Sequence, residues 1–248
     1  MKNKRDLFLA FVFILITWQL LALLLKIDIL PGPIIVFRVF AEDLFTGELT
    51  KHFLISLERV FAGTSLAVVT AVPAGLVMGQ SRIINRVFTP LVYLLYPIPK
   101  VVFVPIVLLF FGIGDFSKVI IIFIILFFQI LVLVKDQSSN VHPELIRSIK
   151  SLGAGRKALF RYVYFPASLP AIFTALRQSV GTAVAVLYIA ELYATNSGLG
   201  YYIYYQGSSL LNFPSMYAGI LAMSLLGVGM YYAIELLERK MCPWLFVL

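Results

Sequence analysis

Residues 119–134 read VIIIFIILFFQILVLV, sixteen positions with no charge and a single amide, Gln129. The run has no polar–apolar alternation, so it does not describe one face of a sheet. Its length and all-round apolarity predict a helix immersed in hydrocarbon, where every backbone N–H and C=O must find its partner within the segment. Charge returns at once on either side, with Asp115 and Lys118 before it and Lys135 and Asp136 after it.

The rest of the chain repeats this pattern. Of 248 residues 61% are hydrophobic and 13% charged, too few polar groups to cover a water-soluble globule. Further spans are predicted at 7–25, 60–79, 87–112, 171–194 and 215–237, most of them near the roughly 20 residues that cross a hydrocarbon core about 30 Å thick. The first follows the basic start MKNKR, exceeds the apolar core of a secretory leader and precedes no A-x-A-like site, so it reads as uncleaved. The sequence therefore predicts a single all-α membrane domain over 1–248 with six transmembrane helices, and an even number of spans puts both termini on one side. Thirteen of the twenty basic residues fall on that side: Lys2, Lys4, Arg5, Arg82, Arg86, Lys135, Arg147, Lys150, Arg156, Lys157, Arg161, Arg239 and Lys240. The other side holds Lys26, Arg38, Lys51 and Lys118. By the positive-inside rule both termini are expected in the cytoplasm. The net charge of +8 thus marks topology, and no separate basic domain points to nucleic acid.

The longest inner connection, 135–170, is too polar to span and too apolar to be a plain linker. Pro143 suits a first helical position, Leu145, Ile146, Ile149 and Leu152 recur at helical spacing, and Gly153 suits a left-handed cap. A second short helix is expected from about Arg156 to Tyr164, with Pro166 and Pro170 breaking the chain before the fifth span. The residues alone leave two readings open: an amphipathic hairpin resting on anionic headgroups, or a docking site for a partner protein.

In this connection the sequence resembles the inner-membrane permease subunits of ATP-binding-cassette (ABC) importers, whose EAA loop follows E-A-A-x3-G-x9-I-x-L-P. Gly153 is followed by nine residues and then Val163, Tyr164, Phe165 and Pro166, so the second half of the pattern is kept. Its E-A-A half falls on Arg147, Ser148 and Ile149, an arginine standing where the family has glutamate. The likeness is strongest to permeases for nitrate, sulfonates, taurine, bicarbonate and vitamin precursors. It extends through LPGPIIVFRVF (30–40), SLERVFAGTSLAVVTAVPAGLVMG (56–79), YPIPKVVFVPIVLLFFGIGDFSK (96–118) and AELYATNSGLGYYIY (190–204).

The resemblance implies a homodimer of the permease, two cytoplasmic ABC ATPase subunits carrying ATP and Mg, an external solute-binding protein, and the bacterial or archaeal cytoplasmic membrane. It makes the helix between spans four and five a coupling helix within the 143–166 loop. The ATPase contacts would fall on Glu144, Arg147, Ser148, Ile149, Lys150, Leu152, Gly153, Arg156 and Pro166.

Three residues are candidates for the translocation path. Lys100 follows Pro97 and Pro99 near the middle of the third span, where a lone ammonium costs about 2.5–3.5 kcal/mol. The family more often has proline there, and Lys100 is expected either to attract an anionic solute or to pair with a carboxylate or snorkel to the surface. Glu191, three residues before the end of the fifth span, is expected to hydrogen-bond the turn Asn196–Ser197–Gly198, with direct ligand contact or pairing to Lys100 as alternatives. Tyr193 heads a cluster with Tyr201, Tyr202, Tyr204 and Tyr205 that reads as an aromatic belt or outer gate. Arg59 and Arg177 read as interface charges, and Gly219, Gly227 and Gly229 with Ala218 and Ala222 as small-residue packing faces.

No catalytic group, cofactor or metal site is expected in the chain itself. Cys242 is the single cysteine, His52 and His142 are far apart, and Gly153–Lys157 fails the G-x-x-x-x-G-K-[ST] phosphate cradle. Gly112–Asp115 matches the GxGD of intramembrane aspartyl proteases, but no second aspartate lies in a span to share its proton. The remaining alternative is an ATP-independent secondary carrier or channel, for which neither an inverted repeat nor a midplane acid is present.

Overall fold

The computed structural model describes residues 4–193 and 195–246, apart from the side chains of residues 4, 7, 46, 143 and 156. Among the described residues there is no strand. The order is α1 (Lys4–Leu25), α2 (Pro33–Thr46), α3 (Glu48–Gln80), α4 (Arg82–Leu95), a 3₁₀ turn (Lys100–Phe103), α5 (Val104–Phe111), α6 (Asp115–Ser139) and α7 (Pro143–Ser151). Then follow α8 (Arg156–Leu159), a π turn (Phe160–Tyr164), α9 (Phe165–Leu192), α10 (Leu199–Tyr204), a second π turn (Tyr205–Ser209), α11 (Phe213–Met241) and a final 3₁₀ turn (Pro243–Leu245). Among the described residues five helical stretches are long and apolar enough to cross a membrane, and α4 with the segment Lys100–Phe111 makes a sixth if the bent pair is one span. Two compact units emerge, one of residues 1–56 and 191–225, the other of 57–190 and 226–248.

In the first unit α2 begins at Pro33, whose fixed φ and missing N–H suit a first helical position. The Trp18 indole N–H on α1 donates to the Pro31 carbonyl at 3.0 Å, and its ring lies 5.9 Å from that of Tyr217. Gly219 admits the side chains of Ile203 and Tyr202, whose atoms would stand 2.8 Å from a Cβ there.

The second unit is organised around α3 and α6. Lipid tails are as apolar as leucine, so burial alone does not drive helices together in a membrane, and close backbone approach through small residues does. Gly75 and Gly79 supply it. A methyl at Gly79 would stand 2.6 Å from the Ser138 Cβ and one at Gly75 2.9 Å from the Leu131 carbonyl oxygen, and Leu76, Ile122, Leu126, Ile130 and Val134 of the two helices are buried.

Several elements differ from the sequence expectation. The third span, expected as one run over 87–112, is broken, with α4 and the segment Lys100–Phe111 bent by 81°. Pro97 and Pro99 offer no N–H to the last carbonyls of α4, so the helix ends there. Conversely, Pro166 and Pro170 do not break the chain: Lys157–Leu192 runs as one helical stretch of 36 residues. The π turn at Phe160–Tyr164 precedes Pro166 and widens the ladder where a proline N–H is missing, and Pro170 sits within α9. Helices α3 and α6 also extend beyond the spans expected at 60–79 and 119–134. Lys118 is therefore not a loop residue; it is 1% exposed, and its ammonium donates to the Gly114 carbonyl at 3.1 Å.

Candidate functional site

The connection between α6 and α9 is built around α7. Pro143 occupies its first turn, Glu144 lies near its positive end and Lys150 in its last turn, an order that suits the helix dipole. Its C-terminus closes through two backbone bonds. The Gly153 N–H donates to the Lys150 carbonyl at 3.0 Å and the Ala154 N–H to the Ile149 carbonyl at 3.4 Å. Gly153 itself is left-handed, with φ +78°. This is a Schellman stop, which requires a residue that tolerates positive φ.

Helix α7 is flanked by two clefts. One, of about 340 Å³, is lined by Leu145, Ser148, Ile149, Tyr162, Val163, Pro166, Ala167 and Trp244. The other, of about 470 Å³, takes Lys150 together with Val77, Gln80, Ser81, Ile83, Leu159 and Tyr164. Ser148, Ile149 and Pro166, far apart in the sequence pattern, thus meet at one surface. Glu144 and Arg147 are exposed, and Leu152 is 81% exposed. The side chain of Arg156 lies outside the described residues.

The path candidates behave differently from one another. Lys100 donates to the carbonyls of Tyr96 at 2.8 Å and of Leu95 and Ile98 at 3.3 Å, and its ammonium lies 5.3 Å from the Tyr96 ring and 5.0 Å from that of Phe128. It thus gives the carbonyls at the end of α4 and in the turn after it a charged donor. No carboxylate is among the partners just named.

Glu191 is fully buried. Its carboxylate accepts from the Ser56 hydroxyl at 2.8 Å and from the Gly200 N–H at 2.8 Å, and the Ser56 oxygen accepts from the Leu199 N–H at 2.7 Å. The neighbouring turn at 196–198 is joined to His52 Nδ1, which accepts from the Gly198 N–H at 3.0 Å. Together Glu191, Ser56 and His52 hold the start of α10.

Tyr193 is exposed just past the end of α9. Tyr202, on α10, is buried and donates to Asp43. Burial and that carboxylate raise its phenol pKa well above the usual value, so it remains a donor at any physiological pH.

Two arginines read as interface charges are inter-helical ties. Arg59, 3% exposed, pairs with Asp115 through its Nε at 2.8 Å. Asp115 thus closes an ion pair at the start of α6, which is not the paired-carboxylate geometry of an aspartyl protease. Arg177 pairs with the buried Glu238 at 2.6 Å. The partners are 56 and 61 residues apart in sequence, so no local pattern announces them.

The comparisons with known proteins agree with this architecture. Residues 71–242 match the family model described as binding-protein-dependent transport system inner membrane component. A protein named as an ABC transporter permease of Methanocaldococcus jannaschii is 35% identical over 92% of this chain and 88% of its own length. The taurine transport system permease protein TauC of Escherichia coli is 29% identical over 82% of this chain and 74% of its own. Among solved structures, an inward-facing chain of the MetNI methionine ABC transporter superposes with a TM-score of 0.67 at 18% identity, covering 78% of this chain and 95% of that one. The chain belongs to the inner membrane permease family of binding-protein-dependent ABC importers.

Proposed function

We propose that two copies of this chain form the translocation path of an importer for a small anionic or vitamin-precursor solute, and that α7 transmits the motion of two cytoplasmic ATPase subunits to the spans. The taurine-system relative supports the solute class. An external binding protein delivers the solute, ATP and Mg reside on the ATPases, and both termini of the permease face the cytoplasm. The observation that carries the reading is the placement of α7. It is a short helix with a rigid Schellman stop, it presents Leu145 and Leu152 to solvent, and it adjoins the end of a 36-residue helical stretch. At 1.5 Å per residue that stretch is about 54 Å long, well beyond a hydrocarbon core of roughly 30 Å. Such a helix serves as a lever whose outer turns stand in water. ATP-driven closure of the ATPase pair would draw two α7 helices together and tilt the levers, exchanging inward for outward access.

Mild-detergent purification of the permease from its native membrane tests this. A P-loop ATPase is expected at one copy per permease, and a permease that retains transport activity with no such subunit attached would refute the proposal.

A further inference from the structure

The end of the chain contributes to the same surface as α7. Helix α11 stops at Met241; Cys242 is fully buried with Leu169, Phe173, Val180 and Ile234, and the neighbouring Glu238 is tied to Arg177 of α9. The segment after it is thus anchored. Trp244 emerges from this anchor 51% exposed and enters the cleft formed by Leu145, Ser148 and Ile149 of α7 and by Tyr162 and Pro166. Tyr162 is 66% exposed in the same cleft, with the Arg161 guanidinium 5.9 Å from its ring. Leu145, Ile149, Tyr162 and Trp244 surround one concavity, with the exposed cations Arg147 and Lys150 on the same helix and Arg161 next to Tyr162.

We infer that Trp244 and Tyr162 complete the ATPase-binding surface, so that the partner inserts an apolar side chain flanked by carboxylates between α7 and the C-terminal turn. This rests on the coupling role proposed above for α7. The composition is that of a binding hot spot, where tryptophan, tyrosine and arginine dominate. The exposed cations call for carboxylates opposite them. Position argues for a protein occupant over lipid. Tyr162 lies 30 residues before Leu192, the end of its helical stretch, about 45 Å along the axis, which exceeds the hydrocarbon thickness by about 15 Å. A half-exposed tryptophan at that depth faces water until a partner covers it.

The test uses the intact permease with the ATPase subunit that purifies with it. Trp244→Ala is expected to weaken ATPase retention by about tenfold or more, Trp244→Phe by less, with permease yield and dimer content unchanged. Ile149→Asp, on α7 itself, should also release the ATPase. If Ile149→Asp releases it and Trp244→Ala does not, the C-terminal surface is refuted while the α7 reading stands; if neither does, the α7 reading fails. With Trp18→Phe as background, Trp244 is the sole tryptophan. Its emission is expected to shift to the blue when the ATPase is added. A full shift on reconstitution into phosphatidylglycerol vesicles without ATPase would show a lipid-covered surface and overturn the inference.

Discussion

Gly153→Leu is expected to lower substrate-stimulated ATP hydrolysis of the assembled transporter at least tenfold while leaving membrane insertion intact. Gly153 has φ +78°, where a side chain costs roughly 1–2 kcal/mol. A Cβ there would meet nothing within 4 Å, so the penalty is conformational and not steric. The chain can relieve it only by unwinding the stop that fixes the end of α7, which converts a rigid handle into a slack one. Gly153→Asn separates the two causes, because asparagine tolerates the left-handed region while being no smaller a side chain in practice than many others. It should retain most of the stimulation. Normal coupling in Gly153→Leu, or equal loss in both variants, would remove the stop from the mechanism.

Glu191→Ala carries the second large effect, on stability. The change strips a fully buried acceptor from the Ser56 hydroxyl and the Gly200 N–H. Each buried donor left without a partner costs about 1–3 kcal/mol, so the purified permease should be destabilised by about 2–6 kcal/mol, and the segment 195–209 should become a preferred proteolytic site. Glu191→Gln keeps one carbonyl oxygen and should lose less. Because Glu191, Ser56 and His52 together hold the start of α10, Ser56→Ala should reproduce part of the effect. A Glu191→Ala protein with the melting behaviour and protease resistance of the parent would show that the carboxylate does not hold α10.

Most of the helical order is legible from local features, because long uncharged runs and the turn chemistry of Pro143 and Gly153 act within a few residues. What was missed lies in pairings over distance or in backbone accounting. Arg59 and Arg177 looked like surface charges because Asp115 and Glu238 reach them only in the packed structure. The break in the third span had its signal in Pro97 and Pro99. The contact of Lys100 with the Tyr96 carbonyl had a local signal too, since the two residues lie four apart at the end of α4. The expectation for it lay between an external anion and a carboxylate partner or snorkelling, and a bond to the carbonyls of its own turn was not among those alternatives. Pro166 and Pro170 misled in the opposite direction, for the π turn that accommodates the stretch leaves no mark in composition. Trp244, after the last span, had no periodic neighbour to tie it to α7; only the buried Cys242 and the cleft reveal the connection.

The most direct measurement of the central claim is site-specific crosslinking from α7. Cys242 is the only native cysteine and is buried, so Ser148→Cys, at an exposed position of α7, can be labelled selectively with benzophenone maleimide. Illumination of the labelled transporter in native membranes is expected to give one dominant adduct, between permease and ATPase subunit, whose yield changes when ATP is trapped. Adducts confined to lipid or to a second permease, in membranes where the ATPase is present and active, would contradict the account.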